Sequence, residues 1–469
     1  MPAIRIIQST DTAAVDRLIN VDRERDGAIQ ERVGQIVARV RRGGDRALLG
    51  YARRFDKLRR PLELTSQEVR DGALRAPSAV RRAIREAADH IRRVAREQVP
   101  RNFRVRVAPG VVVEQRVTPL DRVGCYVPGG RYPLPSSLLM TALPARVTGV
   151  ADVIVACPRP EPAVLAAAVE AGVTRLFQMG GAHAIAAMAY GTETVPRVDK
   201  VVGPGNQYVA AAKVLVSRDC GIDFYAGPTE VLVVSDDGPA DWIAADLIAQ
   251  AEHDVNARAL FVTSDRDLAR DAAAAVTRQL PFEGPARQSL ASRGGIIVTR
   301  NEAESVALAN RIAPEHLVCT SERVARGVRC AGAIFIGPHT AQVAGDYAIG
   351  SNHVLPTSGA ARFRGGLSAA DFVRVTSVQR LTSRGLAALA PTVVTLARAE
   401  GLTAHAASIE LRLKMVQPPS RKVSAARRSS TSEVGGSPPF KQGGKRRGAK
   451  GTPRAKPLGG VQGTPPFKQ

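Results

Sequence analysis

At 469 residues, the chain is long enough for two or three domains with ample cores. Its hydrophobic content of 44% and charged content of 23% are those of an ordinary soluble globular protein, and no run of eighteen apolar residues predicts a membrane span. The net charge of +23 would suit a nucleic-acid-binding protein, but residues 417–469, with twelve Lys and Arg and one acid, carry +11 of it. The mild excess left on the body is typical of a solvated surface.

The N-terminus and the cysteines predict a compartment. The opening sequence MPAIRIIQSTDTAAVDRL carries Arg and Asp where a signal peptide needs an apolar core, so we expect no export. The five cysteines are odd in number and widely spaced, and no C-x-x-C occurs. This pattern favours neither a disulfide framework nor a thiolate zinc site, and a reduced, cytoplasmic compartment is the simplest interpretation.

The body alternates between predicted helices and strands. The first hundred residues are mostly helical, above all 77–98. Short apolar runs rich in branched residues then predict strands at 152–157, 175–178, 200–202, 231–235, 259–263, 295–299 and 333–336. Helical patterns separate most of them, at 162–171, 207–216, 240–253 and 265–279. Such alternation predicts parallel, three-layer α/β sheets.

After Phe372 the strand signals fade, and two helices are predicted. The first covers 384–400 with Gly401 as its C-cap, and the second covers 403–415. In the second helix His405, Ile409 and Leu413 share one face. An arm of this kind has to bury that face, and a partner subunit could receive it.

The last segment, 417–469, is rich in Pro, Gly, Ser, Lys and Arg, so we predict that it is disordered. It repeats one motif, GSPPFKQ at 436–442 and GTPPFKQ at 463–469. The repeat could be a linear docking element for a partner or an appendage without function. A basic tail also predicts, at most, non-specific and salt-dependent binding of nucleic acid.

Three glycine-rich segments could contact a phosphate. They are VPGGR at 127–131, MGGAH at 179–183 and GPGN at 203–206, each near a strand end or a helix start. None matches the G-x-G-x-x-G dinucleotide fingerprint. Each is therefore either a tight turn or a nucleotide site.

A few polar residues could carry chemistry. Gln250 and His253 lie one turn apart near a helix end and could point at one ion, or His253 could be a cap or a surface residue. Glu315 and His316 are adjacent on a loop, and a carboxylate beside an imidazole suits proton transfer. Asp346 lies among glycines, a position for a metal-binding carboxylate or simply for a turn.

Together and in this order, these segments resemble the histidinol dehydrogenase family over about residues 20 to 413. The matching blocks are CYVPGGRYPLPSSLLM, GGAHAIAAMAYGT, VDKVVGPGN, AGPTEVLVV, LIAQAEHD, NRIAPEHL, GDYAIGSNHVLPT and AEGLTAH. The resemblance, and not composition or periodicity, implies the activity. It implies an enzyme of histidine biosynthesis that oxidises L-histidinol to L-histidine through L-histidinal in two NAD-dependent steps, with one Zn²⁺ per subunit.

The resemblance also implies residue roles. His316 would take the hydroxyl proton as hydride leaves for NAD, and Glu315 would activate the water that attacks the aldehyde, so no catalytic cysteine is needed. The zinc ion, which would hold the amine and imidazole of the substrate, would be bound by Gln250, His253, Asp346 and His405.

The remaining roles concern the substrate and the cofactor. Thr229 and Glu400 would contact the substrate, together with the four zinc ligands and His316. The NAD site would be lined by Tyr126, His183 and Asn206.

The fold implied by the resemblance is α/β, with two incomplete Rossmann-like three-layer units, one inserted in the other. We expect an N-terminal arm at 1–21, a first unit at 22–125 and 235–375, an inserted unit at 126–234, a helical dimerisation arm at 376–416, and the disordered basic tail. In the implied homodimer the arm crosses to the partner, so that His405 and Glu400 complete the site of the other subunit.

Three features depart from the family pattern. Position 183 is His where some members have Gln, Thr229 stands where many have Ser, and residues 339–345 lack a Pro-Glu pair often found before the aspartate. One alternative is a related zinc dehydrogenase for another polar alcohol, such as a sulfonated diol. Glu400 and His405 favour histidinol, because they belong to the end of the site that binds its amine and imidazole. The other alternative is a nucleic-acid-binding protein that works through the tail.

Overall fold

The structure is a computed structural model that describes residues 3–20, 27–129, 132–225 and 227–416, without the side chains of 415 and 416. The predicted disordered tail and its repeat lie outside the described residues, as does part of the predicted N-terminal arm. Within the described ranges, no helix is both long and apolar enough to cross a bilayer.

The strands form three sheets. In chain order the described strands are β1 (Ile6–Gln8), β2 (Glu63–Leu64), β3 (Phe103–Ala108), β4 (Val111–Pro119), β5 (Arg122–Tyr126), β6 (Asp152–Ala156), β7 (Arg175–Phe177), β8 (Lys200–Val202), β9 (Gly221–Ile222), β10 (Glu230–Val234), β11 (Arg258–Thr263), β12 (Gly295–Val298), β13 (His316–Cys319), β14 (Ala333–Ile336) and β15 (Val373–Leu381). The first sheet has the order β1-β12-β11-β10-β13-β14 and is parallel throughout. The second has the order β2-β7-β6-β5-β8-β9 and is parallel except where β2 meets β7.

Helices cover both faces of these two sheets. In chain order they are α1 (Thr12–Ile19), α2 (Gly27–Phe55), α3 (Ser66–Leu74), α4 (Ser78–Glu97), α5 (Pro135–Val147), α6 (Pro162–Ala171), α7 (Gly181–Tyr190), α8 (Gln207–Val216), α9 (Ala240–Ala251), α10 (Arg266–Gln279), α11 (Ala286–Arg293), α12 (Glu302–Ile312), α13 (Glu322–Gly327), α14 (Gln342–Tyr347), α15 (Ser383–Ala399) and α16 (Thr403–Val416). One face of the first sheet packs on α9 to α11 and the other on α1, α12 and α13. The second sheet packs on α3 to α6 and on α2, α7 and α8. The predicted three-layer architecture is confirmed.

Strand side chains divide between the two layers by simple alternation. In β10, Val231 and Val233 pack toward α9 to α11, whereas Leu232 and Val234 pack toward α1, α12 and α13. All five residues of this strand are buried. A continuous run of branched apolar residues is what a strand covered on both faces requires.

Both parallel sheets share one strand order. Five strands of each follow the Rossmann-like order 3-2-1-4-5, and β1 or β2 is added at the edge. The second sheet lies wholly between β1 and β10 in sequence, so the predicted insertion is confirmed. The boundaries differ from those predicted, because β10 belongs to the first sheet and α2 to α4 pack on the second. The chain passes from the first unit to the second between α1 and α2, and returns to the first between β9 and β10.

A third, antiparallel sheet with the order β15-β4-β3 was not predicted. The expectation that strands end after Phe372 was wrong, since β15 follows it directly. Most residues of β3 and β15 are exposed, so burial imposes no clean apolar alternation on β15. The predicted arm at 376–416 therefore begins with a strand, and its two helices pack against each other.

A buried ion pair holds the loop at 203–206. Lys213 on α8 pairs with Asp223 beyond β9, and neither side chain is more than 2% exposed. Lys213 Nζ donates to the carbonyl of Gly203 at 3.0 Å, and the N–H of Gly203 donates to Asp223 Oδ2 at 2.8 Å. Gly203 has φ +121°, and a Cβ there would collide with the carbonyl oxygen of Tyr126. The pair thus fixes the end of β8 against β5.

We expect Lys213→Met to lower the free energy of unfolding by about 3–5 kcal/mol, because it leaves the carboxylate of Asp223 buried without a counter-charge. Urea denaturation followed by circular dichroism measures this. As a control, Arg278→Met breaks an exposed ion pair with Asp241 and should change the free energy by less than about 1 kcal/mol. A loss in Lys213→Met no larger than in the control would contradict the role given to the pair.

Candidate active site

The predicted pair Glu315 and His316 lies at the amino edge of the first sheet. His316 is the first residue of β13 and is paired with Val231 of β10 and Ala333 of β14. Glu315 is 5% exposed and His316 is 3% exposed. Nδ1 of His316 lies 3.1 Å from the backbone carbonyl oxygen of Glu230, so in the neutral imidazole Nδ1 carries the proton. This tautomer leaves the lone pair on Nε2.

A buried ion pair secures the strand end that orients this imidazole. The carboxylate of Glu230 accepts from Arg258 of β11 and from the backbone N–H of Ser358, the latter at 3.1 Å. Arg258 also donates to the carbonyl of Ile19 at 2.8 Å. These bonds tie β10, β11 and α1 together at one edge. The carbonyl that orients His316 therefore cannot shift without disturbing a buried pair.

A chain of hydrogen bonds runs from Gln250 through Thr229 to Glu315. Gln250 Nε2 donates to Thr229 Oγ1 at 2.6 Å, and this hydroxyl donates to Glu315 Oε2 at 2.6 Å. The backbone N–H of Glu230 donates to the same carboxylate oxygen at 2.8 Å. Oε1 of Gln250 is buried and has no hydrogen-bond partner among the described residues. A buried amide oxygen left open in this way is suited to a cation or a ligand.

The surroundings tune both members of the pair. Burial raises the pKa of Glu315 to about 7, although the charge of His316 and the hydrogen bond from Thr229 favour the carboxylate. Burial by itself would lower the pKa of His316, but the carboxylates of Glu315 and Asp346 outweigh it and raise the pKa to about 9. The pKa of Glu315 thus lies near neutrality, as a general base requires, whereas His316 has to be in its neutral form before it can accept a proton.

Asp346, near the end of α14, faces this imidazole. Its Oδ1 lies 3.6 Å from His316 Nε2, and that nitrogen has no hydrogen-bond partner in the described part of the chain. Burial by itself would raise the pKa of Asp346, but the imidazoles of His316, His353 and His253 hold it below its usual value. Asp346 is thus a buried carboxylate whose charge is favoured by three imidazoles.

The altered loop at 339–345 still supports Asp346. Gln342 is 1% exposed, and its Nε2 donates to Asp346 Oδ2 at 2.7 Å. On the other side, His353 Nδ1 donates to the backbone carbonyl of Asp346 at 2.9 Å. Asp346 is thus held both at its carboxylate and at its backbone carbonyl without the Pro-Glu pair.

The chain does not bring all the predicted ligands together. Gln250 and Asp346 are buried, whereas His253 is exposed just beyond the end of α9. The imidazole of His253 is nevertheless close enough to contribute to the lowered pKa of Asp346. His405 and Glu400 are exposed on the arm, and within the described ranges their side chains make no hydrogen bond or ion pair. Among these residues, no three His, Cys, Asp or Glu side chains are arranged to hold a metal ion.

A cavity of about 430 Å³ lies at the carboxyl edge of the second sheet. The three predicted cofactor residues, Tyr126, His183 and Asn206, all line it. Tyr126 ends β5 and Asn206 follows β8, so they flank the point where the strand order reverses. Open α/β sheets bind their ligands at this switch point, and the volume is that of a small-molecule site.

In the glycine-rich turn at 179–183, two backbone N–H groups donate hydrogen bonds to side chains of the protein. The N–H of Gly180 donates to Asp56 Oδ2 at 3.0 Å, and that of Gly181 donates to the hydroxyl of Tyr126 at 3.1 Å. Asn206 caps α8 with its side-chain oxygen. Part of each helix start is thus satisfied by side chains of the protein. The cations that line the cavity are the exposed side chains of Arg32 and Arg159.

The cysteines offer no obvious nucleophile. All five are free thiols. Burial raises the pKa of Cys125 and Cys157 to about 12 and that of Cys220 and Cys319 to about 11. These four remain protonated at neutral pH, whereas a thiol attacks as its thiolate.

Sequence reasoning missed three residues that support these sites: Asp56, Gln342 and His353. Gln342 lies in the stretch already marked as a departure, and His353 ends the GDYAIGSNH segment, so both had a local signal. Asp56 had none, because its contact with His183 spans 127 positions.

Comparisons with known proteins agree with one another. Residues 20–413 match the family model described as histidinol dehydrogenase. A relative named histidinol dehydrogenase from Methylococcus capsulatus is 47% identical over 416 residues, which cover 85% of this chain and 95% of the relative. One of that name from Pseudomonas aeruginosa is 44% identical over 429 residues, covering 88% and 98%. The crystal structure of histidinol dehydrogenase from Elizabethkingia anophelis matches with a TM-score of 0.83 at 31% identity, over 89% of this chain and 99% of that one.

Proposed function

Because this chain belongs to the histidinol dehydrogenase family, an NAD-dependent group of oxidoreductases, we propose that it oxidises L-histidinol to L-histidine in two steps with the help of Zn²⁺. The observation that carries the proposal is the buried pair of Glu315 and His316 facing Asp346 and the open oxygen of Gln250. A cytoplasmic location is proposed as well, since it would keep the five thiols reduced.

In this proposal His316 removes the hydroxyl proton while hydride passes to NAD. The bond from Nδ1 to the carbonyl of Glu230 leaves Nε2 as the accepting atom. Glu315 and Asp346 make the imidazole more basic, which favours that transfer.

Glu315 acts after the aldehyde has formed. Its pKa of about 7 lets it take a proton from water near neutrality, and the water adds to the aldehyde carbon. The hydrogen bonds from Thr229 and from the backbone of Glu230 point one carboxylate oxygen in a fixed direction. The hydrated aldehyde then gives up its second hydride to NAD.

The proposed zinc ligands are Gln250, His253, Asp346 and His405. The fit rests on the unpartnered Gln250 Oε1 and on the carboxylate of Asp346 beside nitrogen donors. When bound, Zn²⁺ would supply a positive centre for the amine and imidazole nitrogens of histidinol. Thr229, Glu400 and His316 would contact the substrate as well.

A homodimer would supply the missing ligand. His405 and Glu400 are on an exposed arm, and the arm and the third sheet expose large apolar side chains. Phe103, Val375 and Leu396 are each half exposed or more. Apolar surface of this kind is typical of an interface, so we propose that the arm of one copy completes the site of the other.

The function is tested by incubating the purified chain with Zn²⁺, NAD and L-histidinol. We expect two molecules of NADH for each histidinol consumed, and L-histidine as product. His316→Asn should lose at least about a hundredfold in kcat, because the proton acceptor is removed. If NADH formed from a sulfonated diol and not from histidinol, the related alcohol dehydrogenase would replace the present proposal.

Thr229→Val should lower kcat/KM for histidinol by about tenfold to a hundredfold, because it breaks the bonds to both Gln250 and Glu315. Thr229→Ser keeps the hydroxyl and is the matched control, expected to stay within about threefold of the unmodified chain. Equal losses in the two variants would contradict the role given to the hydroxyl.

The shared site is tested by mixing His316→Asn and His405→Asn chains, each inactive alone. A mixed dimer has one site with both changes and one with neither. Random assortment should therefore restore about a quarter of the normal activity per chain. Absence of recovery, with mixed dimers demonstrated by differential tags, would mean that each arm serves its own subunit.

A further inference from the structure

Asp56 and His183 form a buried pair in the cavity at the carboxyl edge of the second sheet. His183 Nε2 lies 2.8 Å from Asp56 Oδ2, and the side chains are 2% and 9% exposed. Tyr51 and Phe55 pack their rings on the imidazole at centroid distances of 5.8 and 6.1 Å. The pair is thus rigidly held between α2 and α7.

Asp56 can be compared with the acidic residue that binds ribose in a complete dinucleotide-binding unit. Such units place an acidic residue about twenty positions after the glycine-rich turn, where it binds a ribose hydroxyl. Here Cys157, Pro158 and Arg159 follow β6, and the next acid, Glu161, does not line the cavity.

Asp56, just beyond the end of α2, lies close to the residues that follow β6. A Cβ built on Gly180 would lie 3.1 Å from Asp56 Oδ1 and 2.9 Å from Pro158 Cγ, so the carboxylate sits beside the end of β6. The carboxylate of Asp56, the residue directly after α2, therefore lies where the sequence after β6 supplies no acid.

The atoms of Asp56 and His183 that have no hydrogen bond to a described residue are acceptors. Asp56 Oδ2 accepts from the N–H of Gly180 and from His183, whereas Oδ1 has no hydrogen bond to a described residue. Because Nε2 donates to Asp56, the neutral imidazole has its lone pair on Nδ1. Two acceptors on residues that line the same cavity suit hydroxyl donors, and a carboxylate repels a phosphate.

We propose that Asp56 and His183 bind the adenosine ribose of the dinucleotide and select NAD against NADP. The inference rests on the proposed function, in which this cavity holds NAD. Arg32 and Arg159 line the same cavity and would meet the pyrophosphate. The competing assignment, in which Arg159 binds a 2′-phosphate, is an outcome of the test.

The test is isothermal titration calorimetry of the full chain with ADP-ribose and with its 2′-phosphate. The unmodified chain should bind ADP-ribose at least about tenfold more tightly than the phosphorylated probe. Asp56→Asn should bring the two dissociation constants to within about threefold. Glu31→Gln makes the same change in charge on α2, the helix that directly precedes Asp56, but outside the cavity lining, and should leave the preference unchanged.

Two results would overturn the proposal. One is an unmodified chain that binds the phosphorylated probe as tightly as ADP-ribose. The other is an Asp56→Asn variant that weakens both probes equally, since Asp56 would then only cap α7. If Asp56→Asn does not fold, His183→Ala leaves the bond to Gly180 in place and should weaken ADP-ribose about tenfold with little change for the 2′-phosphate. Neither probe involves histidinol or zinc, so retained selectivity without histidinol oxidation would contradict the proposed function alone.

Discussion

The parallel register between β10 and β13 is the constraint on which the candidate active site depends. It sets His316 opposite Val231 and so places the carbonyl of Glu230 against the imidazole. Thr229 and Glu315, which directly precede these two strands, then meet through the hydroxyl of Thr229. A slip of one position would turn every side chain of one strand to the opposite layer, so the hydrophobic core that fixes the register also fixes the proton-transfer geometry.

The first and second sheets have the same strand order, but the candidate active site lies at the amino edge of the first and the cavity at the carboxyl edge of the second. The second sheet has its cavity at the carboxyl edge, where the order reverses, as open α/β sheets generally do. At the equivalent point of the first sheet, Ser235, Asp237 and Thr320 bond to one another. Their mutual bonds satisfy these three side chains, whereas at the amino edge Gln250 Oε1 and His316 Nε2 have no hydrogen-bond partner among the described residues.

Sequence patterns predicted the parallel α/β layers well, because buried strands such as β10 are continuous apolar runs. They failed for β3 and β15, because most residues of these strands are exposed and neither strand needs an alternating apolar face. The resemblance supplied Tyr126, His183 and Asn206, and all three line one cavity. Neither source could supply the contact of Asp56 with His183, because it spans 127 positions and depends on how whole elements pack. The support of Asp346 by Gln342 is local, since the two residues lie four positions apart on α14, but the spacing alone does not show that their side chains meet.

The insertion of one sheet within the other has a consequence for synthesis on the ribosome. Every strand of the second sheet has been synthesised once residue 222 is made, so that sheet and its helices can fold as a continuous segment soon afterwards. β1 is made first, but it pairs with β12, nearly three hundred residues later. The N-terminal strand must therefore wait unpaired until most of the chain exists, and this long-range closure is expected to be the slow event in acquiring the native topology.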